Sequence, residues 1–186
     1  MEGSVLGSGY FRQRYYSTHF RLCQKLLLGG AMPTQFGRKL AHLRAQRRLT
    51  QIELAALLGI ESQGYISDLE AGSRIPSLDL ATRAATAFQT TLDYLLRDAV
   101  PVEAIAAAPP HKSLELPMLQ GFGAKLRRLR EQRGLSQSRL ARESPGITQG
   151  AISNLEAGRK IPSLGLVVWL ANYFAESIDF LVFDEG

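Results

Sequence analysis

Residues 63–78 read Gln-Gly-Tyr-Ile-Ser-Asp-Leu-Glu-Ala-Gly-Ser-Arg-Ile-Pro-Ser-Leu. They return 86 positions later, at 149–164, as Gln-Gly-Ala-Ile-Ser-Asn-Leu-Glu-Ala-Gly-Arg-Lys-Ile-Pro-Ser-Leu. Extended outward without a gap, the pairing of 36–97 with 122–183 gives 29 identities in 62 positions, which marks a duplication. A period of about 20–50 residues would indicate stacked solenoid units. A period of 86 indicates two separate domains, expected over 32–98 and 119–186, each large enough for a small helical core. Residues 99–118 hold Pro101, Pro109, Pro110 and Pro117 among alanines and read as a linker.

Working outward from the repeated stretch, strand alternation is missing and helical periodicity is strong. Phe36, Leu40 and Leu43 share one face of a first helix, with Arg38, Lys39, Arg44 and Arg47 around it. Thr50-x-x-Glu53 forms a capping box that starts a second helix with Leu54, Ala55 and Leu58 inward, and Gly59 ends it. Ser62 caps a third helix from Gln63 to Ala71 with Ile66 and Leu69 inward, and Gly72 stops it. Pro76-Ser77 opens a fourth helix carrying Leu80, Ala84 and Phe88, and Thr91 a short fifth with Leu92, Leu95 and Leu96. The second copy repeats this with Ser136, Thr148 and Ser163 as caps. Arg139 in place of Glu53 removes its capping box, and Pro145-Gly146 is expected to shorten its second helix. The fold class is therefore all-α, two tandem five-helix domains.

Two short helices joined by a tight turn inside five helices resemble the Cro/cI (XRE-type) helix-turn-helix family of phage repressors and bacterial regulators. The residues that carry the resemblance are Leu49-Thr50-Gln51, Leu54-Ala55, Ile66-Ser67, Leu69-Glu70-Ala71-Gly72 and Ile75-Pro76-Ser77-Leu78, with their copies Leu135-Ser136-Gln137, Leu140-Ala141, Ile152-Ser153, Leu155-Glu156-Ala157-Gly158 and Ile161-Pro162-Ser163-Leu164. The helix-turn-helix units fall at 51–70 and 137–156. The turn before Gln63 and Gln149 is about one residue longer than the family's commonest form. The resemblance implies lambda-repressor-like domains that bind double-stranded DNA. It also implies a structural ion pair between the first and third helices, Arg44 with Glu70 and Arg130 with Glu156.

In such a unit the third helix enters the major groove with its N-terminal residues on base edges. Gln149, Gly150, Ala151 and Asn154 occupy that stretch of the second copy, and Gln63, Gly64, Tyr65 and Asp68 that of the first. A glutamine amide matches adenine N6 and N7, and an alanine methyl can meet a thymine methyl. Asp68 repels phosphate, so the second copy is expected to be the stronger reader. Phosphate contacts, which position without reading sequence, are expected from Gln51, Ser62 and Arg74 in the first copy. In the second they are expected from Gln137, Thr148, Arg159 and Lys160, and from Arg127 and Arg128 on a first helix made basic by Lys125 and Arg130. A linker of 20 residues averages roughly 25 Å as a coil against the roughly 34 Å between successive major-groove faces. One chain can thus cover two half-sites as a built-in pseudo-dimer, and a homodimer is also allowed.

Bulk composition adds less. The formal net charge is +5, spread as +3 on residues 1–31, +1 on 32–98, −1 on 99–118 and +2 on 119–186. One cysteine, Cys23, excludes an internal disulfide and suits a reducing cytoplasm, here at the nucleoid. No apolar run reaches the roughly 18 residues of a membrane span. His19, His42 and His111 are scattered, with no metal-ligand spacing to Cys23 and no phosphate-cradling glycine loop. No catalytic residue, metal, cofactor or small-molecule effector is expected. Asp93-Tyr94 and Asp179-Phe180 recur as a pair and read as helix caps and core, and the tail Ile178, Leu181, Val182 and Phe183 as completing its own core rather than serving dimerisation. Residues 1–31 fit neither domain. They read first as an upstream-extended start with Met32 the initiator, then as a basic arm, then as a transit-like peptide. The function expected is sequence-specific transcriptional regulation, repression ahead of activation. The rival is an antitoxin or adaptor that binds protein through the same fold.

Overall fold

The structure, a computed structural model, describes residues 33–104, 119 and 121–183. The expectations for residues 1–31 and for most of the 99–118 linker lie outside the described residues. Ten helices are present and no strand is found among the described residues. The first copy holds α1 (Phe36–Gln46), α2 (Gln51–Leu57), α3 (Gln63–Glu70), α4 (Leu78–Phe88) and α5 (Leu92–Leu96). The second holds α6 (Phe122–Gln132), α7 (Gln137–Glu143), α8 (Gln149–Glu156), α9 (Leu164–Phe174) and α10 (Ile178–Val182). In each copy the third helix packs on the first two and the short fifth packs on the first and fourth.

The expected inward faces are buried: Phe36, Leu40 and Leu43 on α1, Leu54, Ala55 and Leu58 around α2, Ile66 and Leu69 on α3, with the same positions filled in the second copy. Thr50 and Glu53 form the capping box, Thr50 N–H donating to Glu53 over 2.7 Å and Glu53 N–H to the threonine hydroxyl over 3.2 Å. Ser77, Thr91, Ser136, Thr148, Ser163 and Ser177 each accept from the N–H that a helix start leaves unpaired.

Several expectations are corrected. Ser62 stands at the N-cap of α3, but its side chain makes no capping bond. α7 is not shortened by Pro145-Gly146, since both second helices have seven residues. What differs is the exit, where Leu58 continues near-helical backbone and Ser144 turns extended. Lys39, expected on the polar side of α1, is buried, and its ammonium donates to the Tyr94 and Arg97 carbonyls at 2.6 and 2.7 Å. Lys125 does the same with the Phe180 and Phe183 carbonyls. These lysines close the C-terminal ends of α5 and α10, where carbonyls lack helical partners, so Lys125 is not part of a basic outer face.

Glycine is required at one pair of positions. α1 crosses the end of α3 so closely that a Cβ on Gly37 would lie 2.0 Å from the Leu69 carbonyl oxygen, and one on Gly123 would lie 2.5 Å from that of Leu155.

The two copies also pack on each other, α5 against α10. The recurrent aspartates are helix caps, as their sequence position suggests, but each caps the other copy's helix. The Asp179 carboxylate accepts from Leu92 and Asp93 N–H at 2.9 and 3.0 Å, and Asp93 accepts from Ile178 and Asp179 N–H at 2.9 and 3.5 Å. Arg97 pairs with Asp93 and reaches the Asn172 side chain and the Glu176 carbonyl. The tail residues Ile178, Leu181 and Val182 are buried and pack α10 on α6 and α9, completing their own core, while α10 also faces the sister copy.

Burial and the facing Asp93 carboxylate raise Asp179 to about 6, against the N–H donors of Leu92 and Asp93, which lower it. The charged groups around it are Asp93 and Arg97 from α5 and the region after it, with Lys125 of α6 on the last carbonyls of α10. A carboxyl raised in the folded state takes up a proton more readily there than when unfolded. Its stabilising share is full below the ordinary carboxylate range and is lost as pH rises through about 6. Thermal unfolding of the chain should gain stability relative to Asp179→Asn as pH falls from about 7.5 to 5. Parallel pH profiles for the two proteins would contradict this.

Candidate nucleic-acid interface

At the foot of each third helix lies the same chain of side chains, and its polarity is set by chemistry. Arg130 can only donate and the ionised Glu156 can only accept, and they meet at 2.6 and 3.0 Å. Glu156 therefore takes the Gln137 amide as donor, at 2.9 Å. That turns the Gln137 carbonyl outward, where it accepts from the Gln149 amide at 3.1 Å. The first copy repeats each link: Arg44 to Glu70 at 2.6 and 3.0 Å, Gln51 to Glu70 at 2.8 Å, Gln63 to Gln51 at 3.0 Å. The last glutamine is exposed in both copies. One of its N–H bonds is used within the protein, and a primary amide carries a further N–H donor and a carbonyl acceptor.

The ion pair is more enclosed in the second copy. Glu156 is fully shielded and Arg130 10% exposed in their side chains, against 9% for Glu70 and 22% for Arg44. Burial pushes the Glu156 carboxyl up, and the bonds from Arg130, Gln137 and Arg127 outweigh this and hold it below its ordinary value. The bond to Glu70 holds the Arg44 guanidinium above its ordinary value, as the bond to Glu156 does for Arg130.

The remaining expected reading residues sit on the same outer surface. Gly64, Asp68, Gly150 and Asn154 are exposed, and Tyr65 and Ala151 half-buried. A Cβ on Gly150 would meet nothing of the protein within 4 Å, and one on Gly64 only the Ser62 hydroxyl at 3.5 Å. The fold does not need glycine there, although glycine inside a helix costs about 1 kcal/mol relative to alanine. Around this surface the two copies differ. Arg74 lies over the Tyr65 ring at 4.5 Å and 3.5 Å from Asp68, so the first copy's cation leans on its own α3. In the second copy Arg159 donates to Asn154 at 3.2 Å, and Lys160 is exposed beside it. Ser62 and Thr148 are exposed at the helix starts. Arg128 is exposed, and Arg127, 56% exposed, reaches Glu156 at 3.5 Å.

Gln51 and Gln137, expected as phosphate contacts, are half-buried inside the chain of side chains. Their bonds to Gln63 and Gln149 are not visible from residue spacing. The signal that could have revealed them is the joint recurrence of Arg, Glu and both glutamines at the 86-residue offset.

Among the described residues no three or more His, Cys, Asp or Glu side chains gather as a metal would need, and no helix is long and apolar enough to cross a membrane. Residues 40–95 match the family model described as helix-turn-helix, and residues 122–179 match that described as helix-turn-helix domain. No curated protein and no solved structure matches the chain.

Proposed function

We propose, from the premise that this chain is a two-copy member of the XRE-like helix-turn-helix regulators, that α3 and α8 read bases in the major groove of double-stranded DNA and that the chain represses transcription. The observation that carries this is the doubled chain Arg–Glu–Gln–Gln ending in an exposed, pre-oriented glutamine amide. A carbonyl and an N–H side by side complement adenine N6 and N7. Holding that amide in place before binding lowers the ordering cost of the contact. The glycine after it, which the protein itself does not require, leaves room for the duplex at both reading helices.

Asn154 and Ala151 extend the reading surface of α8, and Tyr65 and Asp68 that of α3. Ser62, Arg74, Thr148, Arg159, Lys160, Arg127 and Arg128 are placed to meet phosphates. Gln51 and Gln137 act through the reading glutamines they hold. With Asp68 on its surface and Arg74 drawn toward it, the first copy is the weaker reader. The chain acts as a binding protein rather than an enzyme. Operating by occupancy, it blocks promoter sites.

Gln149→Ala should lose about 1–3 kcal/mol of discrimination between preferred and altered sites. Wild-type affinity should fall with salt at a log–log slope of about −0.9 per phosphate neutralised. Titration of fluorescent duplexes at several salt concentrations measures both. Unchanged discrimination would remove the base-contact role.

A second reading has one observation in its favour. Ile52 and Leu57 on α2 are 66% and 48% exposed, where the second copy has Ser138 and Glu143. A first copy that binds a protein partner would use that apolar surface, and its binding would be insensitive to salt.

A further inference from the structure

We propose that one chain reads an inverted pair of unlike half-sites, two short duplex motifs facing each other across a local dyad rather than following head to tail. This rests on the DNA-reading assignment above. A tandem duplication alone does not choose between the two arrangements, and a 20-residue linker reaches either.

The contact between copies does choose. Asp179 caps the helix start at Leu92 and Asp93, and Asp93 caps the helix start at Ile178 and Asp179. At the 86-residue offset Leu92 corresponds to Ile178 and Asp93 to Asp179. The same patch of each copy therefore meets the same patch of the other, reciprocally. That is the signature of a two-fold relation, whereas a head-to-tail contact joins two different patches.

The relation extends to the reading helices because each is fixed to its own copy in the same way. α3 is locked to α1 at Gly37 and through Arg44–Glu70, and α8 to α6 at Gly123 and through Arg130–Glu156. A two-fold pair of reading helices matches the dyad of a duplex, so the halves it fits are inverted.

The halves are unlike because the reading surfaces are. Tyr65 stands where the second copy has Ala151, Asp68 where it has Asn154, and Ser73-Arg74 where it has Arg159-Lys160. The contact itself departs from symmetry at Arg97 among other positions. Arg97, which bridges Asp93 to Asn172 and Glu176, corresponds to Phe183.

The test is selection by the full chain from a duplex library with about 30 random base pairs, wide enough for two half-sites a helical turn apart. The selected duplex is then resynthesised with one half reversed, and native mass spectrometry counts chains per duplex. Two different motifs in opposite orientation at one separation are expected, with at least a tenfold loss of affinity on reversal and one chain bound. Head-to-tail motifs, equal affinity for both orientations, or two chains per duplex would overturn the proposal. Failure to enrich any motif would instead remove the DNA-reading assignment beneath it. In Asp93→Ala/Asp179→Ala the loss on reversal should shrink below threefold, with helicity checked by circular dichroism. The wild-type orientation test decides the matter whether or not that variant folds.

Discussion

Glu156→Ala is expected to lower the stability of the second copy by about 3–5 kcal/mol, because it strands the Arg130 guanidinium in a buried place. Arg130 is buried, and its remaining strong partner is the Leu135 carbonyl at 2.8 Å, with Glu131 more distant at 3.3 Å. The same change frees Gln137 and with it the pre-orientation of Gln149. Trp169, the sole tryptophan, lies on α9 of the second copy, so its fluorescence in a urea titration reports the affected domain. Glu70→Ala, at a more open bridge, should cost less. Acid should act in the same direction as the variant. Glu156 is held below its ordinary value, so its stabilising share is present above the ordinary carboxylate range and is lost as pH falls through the lowered one. Equal urea midpoints for wild type and Glu156→Ala would show the bridge to be dispensable.

Gly37→Ala is expected to be nearly as damaging. A methyl carbon 2.0 Å from the Leu69 carbonyl oxygen, and 2.9 Å from that of Glu70, meets backbone that cannot rotate aside. α1 and α3 must separate, at a cost near the upper end of overpacking, about 3 kcal/mol. For a domain of this size that is a fall in Tm of roughly 12–24 °C. Gly150→Ala is the control. With nothing of the protein within 4 Å of its added carbon, it should gain up to about 1 kcal/mol of helix stability while weakening DNA binding. A melt of Gly37→Ala that overlays the wild type would show that the helices part without strain.

Much of this was legible in the residues. The repeat located ten helices, because caps such as Thr50, Ser77, Ser136 and Ser163 state where a helix starts in local chemistry alone. Apolar spacing likewise exposed the inward faces of α1 and α2. What stayed hidden depends on atoms distant in the chain. Nothing local says that Lys39 and Lys125 turn inward to carbonyls more than fifty residues on. Nor does anything local say that Gln51 donates to Glu70 and accepts from Gln63. Asp93 and Asp179 read correctly as caps, but a single helix cannot show whose N–H groups they receive.

Joining α5 to α10 within one polypeptide has a consequence for dosage. Paired heads made from separate subunits come apart on dilution and can be spoiled by mixing with defective siblings. Here each head carries its mate by covalent tether, at an effective concentration that does not vary with expression level. With one chain per site, as proposed, occupancy rises in simple proportion at low abundance, without a threshold.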